Sequence, residues 1–361
     1  MDELVYYAAL SFNESIGPHR FAKIKEIFKS LKSFFELSID DQMDFLHLRN
    51  ENLRKTFEKM LSEGEKIVET CQKKNIQMIT IDDYAYHPKL KEVPEAPFLY
   101  YQIGHMNYSI KLVGIVGTRQ VSPEAVSINE YFTRELVNYN LGIVSGMAKG
   151  HDSVALKITI QEEGFPVAVL GSGIDVIYPP EHKLLYREIA ERGAVISEYP
   201  PGAFPLKQHF PYRNRIISGL SEVLLVVQAP EKSGALFTAN FAAEQGRDVY
   251  AVPGNPADSK NKGSNELIQK GAKIALNPEE IALEILGKKA KKIKRIKIEK
   301  KENVGKEEKA ILRALDSEKD FEELMELTGI PLPRLSHILT LMEIQGLIIQ
   351  YPGRVYIRNS A

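Results

Sequence analysis

Phe210-Pro-Tyr-Arg-Asn-Arg-Ile-Ile-Ser-Gly-Leu220 places two arginines around an asparagine at what reads as the start of a helix. A strand follows at 223–227, and Ser233-Gly-Ala-Leu-Phe-Thr238 then runs small residues into another helix. A guanidinium fork grips phosphate through paired hydrogen bonds. A small-residue loop entering a helix offers free backbone N–H groups to the same anion. Together they predict a phosphate-rich ligand, either a nucleic-acid strand or a nucleotide. His209, Phe210 and Tyr212 crowd the arginines. Rings beside cations are what single strands use, because bases stack while cations track the backbone. The plainer reading makes Phe210 and Tyr212 core or helix-entry residues.

Other glycine turns carry the same chemistry. Gly117-Thr-Arg119, Ser145-Gly146 with Lys149, Gly171-Ser-Gly173 and Pro253-Gly-Asn255 each follow a short apolar run. One such turn is explained by tight chain reversal alone; four make a site. Arg119, Lys149, Lys207, Arg213 and Arg215 are the candidate phosphate partners. Backbone groups at Gly117, Ser145, Gly146, Gly171, Gly173, Ser233 and Gly234 line the expected pocket, and Thr118, Ser172, Asn214 and Thr238 add hydrogen bonds.

Enzymatic motifs are missing. The chain has no G-x-x-x-x-G-K-[ST] loop and no H-E-x-x-H, which argues against a P-loop hydrolase and a zinc protease. Gly171-Ser-Gly-Ile-Asp-Val176 starts like a dinucleotide fingerprint but has valine where the third glycine belongs. Ser145 and Ser233 lie outside any G-x-S-x-G elbow. Asp152, Asp175 and Glu198 lie near the turns, and cap or pair with nearby arginine more readily than they act as acids or bases. The expectation is no catalytic residue, no metal and no cofactor.

Lys and Arg total 47 against 48 Asp and Glu, so a nucleic-acid site must be a local basic patch. The single Cys71 excludes an internal disulfide. No apolar run has the 18 residues or so of a membrane span, and Met1-Asp-Glu-Leu lacks the basic start of a secretory signal. A cytoplasmic protein is expected.

Five segments follow from the patterning. Residues 1–75 repeat apolar positions at helical spacing, as in Phe21, Ile24, Phe28 and Leu31. Ser15 to Ile24 resembles half of a helix-hairpin-helix, or a plain corner broken by Gly17 and Pro18. Residues 76–109, with Pro88, Pro94 and Pro97, read as a connector packed on the core. From 110 to 286, apolar runs at 113–116, 142–145, 167–170, 194–197, 223–227, 249–252 and 273–276 alternate with helical stretches. That predicts a doubly wound α/β domain with a mostly parallel sheet, whose ligand sits outside the carboxyl ends of the strands. A basic linker spans 287–303, and three helices plus a hairpin over 304–361 make a winged helix.

Seven motifs, in order, resemble the DNA-processing protein A family, also called DprA or Smf. They are Gly117-Thr-Arg119, Val144 to Asp152, Val169 to Pro179, Ser197 to Gly202, Phe210 to Leu220, Ser233 to Ala239 and Gly246 to Gly254. Departures are small: His151 stands where an apolar residue is usual, Gln228 where an acidic one is common, and Ala155-Leu156 where Ala-His is frequent. The resemblance implies a Rossmann-like core that binds single-stranded DNA and hands it to a RecA-type recombinase in transformation or recombination. It also implies a sterile-alpha-motif-like helical domain in front, a winged helix behind, and a homodimer with a contact near Leu267, Ile268 and Gln269. Two rivals share the chemistry: a phosphoribohydrolase of the lysine-decarboxylase-like group, and a small-nucleotide sensor. The first requires P-G-G-x-G-T-x-x-E, whereas Ala229-Pro-Glu-Lys-Ser-Gly234 has no glutamate in the matching place.

Overall fold

The computed structural model describes residues 3–48, 50–292, 305–344, 347–351 and 354–358. Residues up to 294 form one compact unit and those from 295 a second. The first unit opens with five helices: α1 (Glu3–Phe12), α2 (Pro18–Ile27), α3 (Leu31–Phe35), α4 (Ile39–Phe45) and α5 (Glu51–Lys74). Asn50 caps the start of α5 by accepting from the Asn52 N–H, and Asn75 ends the helix in the left-handed conformation. Phe57, Met60, Ile67 and Val68 give α5 one buried stripe, against which α1 buries Tyr6, Tyr7 and Leu10.

The expected connector does more than pack. It supplies β1 (Gln77–Thr80) and, after α6 (Pro88–Lys91), β2 (Leu99–Gly104). These pair with each other antiparallel, and β2 then pairs antiparallel with a core strand, Tyr101 opposite Ser197. Residues 76–109 therefore belong to the sheet.

The core alternates as expected: β3 (Leu112–Val116), α7 (Pro123–Asn138), β4 (Gly142–Ser145), α8 (His151–Gln161), β5 (Pro166–Leu170), α9 (Lys183–Arg192), β6 (Ala194–Ser197), α10 (His209–Leu220), β7 (Val223–Val226), α11 (Gly234–Glu244), β8 (Asp248–Ala251), α12 (Lys262–Gln269), β9 (Lys273–Ile274) and α13 (Pro278–Leu286). The sheet order is β1-β2-β6-β5-β4-β3-β7-β8-β9, parallel from β6 through β9. The chain winds outward from β3 to β6, then restarts on the other side of β3 with β7. The topological switch therefore lies between β3 and β7, where open sheets of this kind form their crevice. Every residue of β3, β4, β5, β6 and β7 is buried, as a sheet covered on both faces requires.

The second unit holds α14 (Lys306–Ala314), β10 (Lys319–Asp320), α15 (Phe321–Thr328), α16 (Leu332–Ile344), β11 (Ile348–Tyr351) and β12 (Val355–Arg358). Three helices and a small sheet ordered β10-β12-β11 make the predicted winged helix. Ile311, Leu324, Leu335, Leu339 and Met342 fill its core. Most of the expected basic linker, residues 293–303, lies outside the described residues.

Candidate nucleic-acid interface

At the switch point the Thr118 N–H donates to the Gln228 carbonyl at 2.7 Å, tying the turn after β3 to the turn after β7. Arg119 stands exposed beyond it, with its guanidinium 5.7 Å from the centre of the Phe210 ring. Phe210 is half-buried and lies 5.3 Å from the ring of Tyr178, which is itself 41% exposed. Next along α10, the Asn214 side-chain amide donates to the Gly234 carbonyl at 3.4 Å. Gly234 opens α11, and Ser233 caps that helix by accepting from the Ala235 N–H. A cation, two rings and a helix N-terminus therefore face one surface.

Close packing explains two of the glycines. A β-carbon on Gly171 would sit 2.9 Å from the Phe210 ring, and one on Gly117 would sit 2.5 Å from the His151 ring. A β-carbon on Gly234 would meet nothing within 4 Å, so that backbone is open to a ligand.

The fold sorts the sequence candidates into two sets. Arg119, Lys149, Lys207 and Gly234 are exposed, with Gly117, Phe210 and Asn214 half-buried beside them. Lys149 is held by Glu181. Thr118, Ser145, Gly146, Gly171, Ser172, Gly173, Ser233 and Thr238 are buried. The Ser145 hydroxyl donates to the Ile115 carbonyl at 2.6 Å and that of Ser172 to the Val176 carbonyl at 2.7 Å, so both side chains brace the turns.

Arg213 and Arg215 depart from expectation. As phosphate partners they should reach the surface; they are 3% and 1% exposed. Helix α10 packs on α11 and α6 and lies against the sheet, so its apolar run Ile216-Ile217 has no wet opposite side. Arg215 Nη1 and Nη2 donate to the two Glu198 oxygens at 2.8 and 2.6 Å, and Nε donates to the Glu95 carbonyl at 2.9 Å. Burial alone would lower the Arg215 pKa, but Glu198 holds it above the ordinary value. The fork that read as a phosphate grip is closed on a carboxylate. Glu198 was expected to pair with an arginine, and it does.

Arg213 Nη1 donates to the Gly146 carbonyl at 3.0 Å and also to that of Val169. Its charge faces Asp152, and both flank Gly146. Burial lowers the Arg213 pKa to about 10 and pushes the Asp152 carboxyl up to about 6, against the pull of Arg213. Asp175 has a different partner: it accepts from Lys74 Nζ and the Gly202 N–H. His151, the departure from the family pattern, is fully buried; Asn129 donates to its backbone carbonyl at 3.0 Å and sits 3.1 Å from Nδ1. Burial lowers the His151 pKa to about 4.

Tyr178 was not singled out, although the Tyr-Pro pair ending one motif signalled it. His209 and Tyr212 do not crowd the exposed site; they turn to the other side of α10. Leu267 and Ile268 are half-buried against the core, whereas Gln269 is exposed. Among the described residues, no group of three or more His, Cys, Asp or Glu is placed to hold a metal ion, and no helix is long and apolar enough to cross a membrane.

Residues 77–286 match the family of DNA recombination-mediator protein A. The chain belongs to that family. Residues 299–354 match the DprA winged helix domain. Protein Smf of Synechocystis sp. is 31% identical over 99% of each chain. The DNA processing protein DprA of Streptococcus pneumoniae is 40% identical over 57% of this chain and 73% of its own. The X-ray structure of DprA from S. pneumoniae aligns with a TM-score of 0.66 at 32% identity, covering 79% of this chain and 98% of that one. DprA from Helicobacter pylori, whose structure is described for its single-stranded DNA binding mode, aligns at 0.52 and 28% identity over 58% of this chain and 96% of its own. This kinship favours a DNA-processing role over the phosphoribohydrolase or nucleotide sensor.

Proposed function

We propose that this DprA-family chain binds single-stranded DNA at the carboxyl edge of its sheet and helps load a RecA-type recombinase. One observation carries the reading: Arg119, without a carboxylate partner among the described residues, lies over Phe210, one turn along α10 from Asn214, which bonds to Gly234 at the open N-terminus of α11. Cation, ring and backbone amide are the three elements a single strand needs. Lys207 extends the cationic edge, and Lys149 joins it by exchanging Glu181 for a phosphate. Arg213 and Arg215 act from behind by fixing α10. The role is one of binding and handing over, without catalysis, in the cytoplasm.

A homodimer is part of the proposal. Beside Leu267, Ile268 and Gln269, the edge strand β9 exposes Ile274 (47%), and Leu276 just beyond it is 70% exposed. An exposed apolar sheet edge is a natural pairing surface.

Fluorescence anisotropy with labelled single- and double-stranded oligonucleotides, repeated across salt concentrations, tests the binding. Single strands should bind more tightly, with affinity falling steeply as salt rises. Equal affinity for free nucleotides would favour the sensor instead.

A further inference from the structure

Helix α10 has two working sides. Phe210 and Asn214 face the strand site; His209 and Tyr212 line a cavity of about 390 Å³ between the helical domain and the sheet. The turn from α1 to α2 closes its other side with Asn13, Glu14 and Ile16. The volume is within the range of small-molecule sites, and such sites form preferentially where domains meet.

His209 is 4% exposed, yet neither ring nitrogen has a hydrogen-bond partner. Glu14 Oε1 lies 3.3 Å from Nε2, close enough to attract but outside hydrogen-bond geometry. Buried polar atoms left in this way are costly unless something completes them. The Tyr199 ring stacks on His209 at 3.9 Å, and Phe98 and Tyr212 add two more aromatic walls. Among the described residues, no lysine or arginine lines the cavity, and two glutamates do. Arg215 neutralises Glu198, which leaves Glu14, exposed and beside the His209 ring, as the cavity's other carboxylate.

We propose that this cavity binds an amino-bearing nucleobase, as the free base or nucleoside. The planar ring would lie among the aromatic walls and its amino group would donate to the Glu14 carboxylate; drawing Glu14 off the covered Nε2 would let a ring nitrogen or N–H of the base complete His209. A phosphate would meet Glu14 with no cation to offset it, which separates this ligand from the strand across α10.

Isothermal titration of the full chain with adenosine and with AMP tests the assignment. Adenosine should bind at least about tenfold more tightly than AMP, because like charges repel in the cavity. Glu14→Gln, an exposed change, should narrow that gap. His209→Phe keeps the ring stack but removes both nitrogens, and should weaken adenosine about tenfold while leaving oligonucleotide affinity unchanged. Saturating oligonucleotide should not displace adenosine. The proposal fails if adenosine does not bind, if AMP binds equally well, or if oligonucleotide displaces adenosine, which would put it in the strand site. Oligonucleotide affinity is read separately, so the strand-binding proposal stands or falls on its own.

Discussion

Arg215→Ala tests whether the arginines of α10 hold the protein together or hold its ligand. The substitution removes both bonds to Glu198, the bond to the Glu95 carbonyl, and the contact with the Tyr212 ring, 3.9 Å from the guanidinium carbon. Removing one partner of a buried ion pair costs about 3–5 kcal/mol, because the other charge stays buried and uncompensated. The Glu198 side chain is 15% exposed, so water relieves part of the penalty and the lower end, about 3 kcal/mol, is expected. For a unit running from residue 1 to 294 the melting temperature should fall by about 5 °C. Arg119→Ala is the contrast. Arg119 is exposed and without an ion pair among the described residues, so stability should stay within about 0.5 kcal/mol. Strand affinity should drop and the salt slope flatten by about one contact. Urea denaturation followed by circular dichroism reads the first effect, and oligonucleotide anisotropy at two salt concentrations reads the second. If Arg215→Ala melted like the wild type yet lost the strand, the guanidinium would belong on phosphate and the structural assignment would fall.

Asp152 has a folded-state pKa of about 6, above that of an unfolded carboxylate at about 4. Folding therefore favours its protonated form, and this contribution is complete below about pH 4 and lost as pH rises through 6. Asp152→Asn should raise stability at pH 8 by at most about 2–3 kcal/mol and do nothing at pH 4, as paired denaturation curves would read. Strand affinity should also rise as pH falls through 6, because a negative charge beside Arg213 disappears. Gly234→Ala should leave stability level or raise it by up to about 1 kcal/mol, yet weaken strand binding if phosphate approaches that amide; Gly117→Ala should destabilise by forcing the His151 ring to move. Ile274→Arg on the exposed sheet edge should yield a folded monomer by light scattering, and an unchanged dimer would exclude that edge; Ile268→Arg is a poorer probe because Ile268 packs on the core. The winged helix carries seven basic and nine acidic residues from 304 to 361, and Arg334 of α16 is held by Glu307 at 2.8 Å. Deleting 304–361 should leave single-strand affinity within about threefold, and a larger loss in anisotropy would assign that domain to the strand.

β3 to β7 were legible because buried parallel strands read as continuous apolar runs flanked by turns, while the partly buried β8 and the exposed β9 showed through their place in the alternation. β1 and β2 were not: Gln77-Met-Ile-Thr80 and Leu99-Tyr-Tyr-Gln102 are short, pair with each other across a proline-bearing stretch, and join the core only through the long-range pairing of β2 with β6. The exposed candidates, from Gly117 and Arg119 to Phe210, Asn214 and Gly234, could be picked out because glycine turns and cations mark the ends of the strands. The burial of Arg213 and Arg215 was hidden in the spacing. Arginine beside a small-residue turn has the same local signature whether it meets phosphate or carboxylate, and only the position of Glu198 across the sheet decides. The apolar stretch from Ile216 to Leu220 was the available hint, since a helix apolar on all sides is an enclosed one.

The pairing of β2 with β6 also has a consequence during synthesis. Tyr101 must wait for Ser197, and at about 5–20 residues per second that is roughly 5–20 s on the ribosome. Through that interval the hairpin of β1 and β2 shows an unsatisfied backbone edge to every other nascent chain nearby. The helical domain ahead of it can pack α1 on α5 early, but its core also takes in Tyr101, Leu170 and Val195 and is completed only later. The newborn protein thus carries a half-finished core and a sticky seam until the fourth core strand emerges, which makes slow translation across residues 105–193 the stage at which a holdase would matter most.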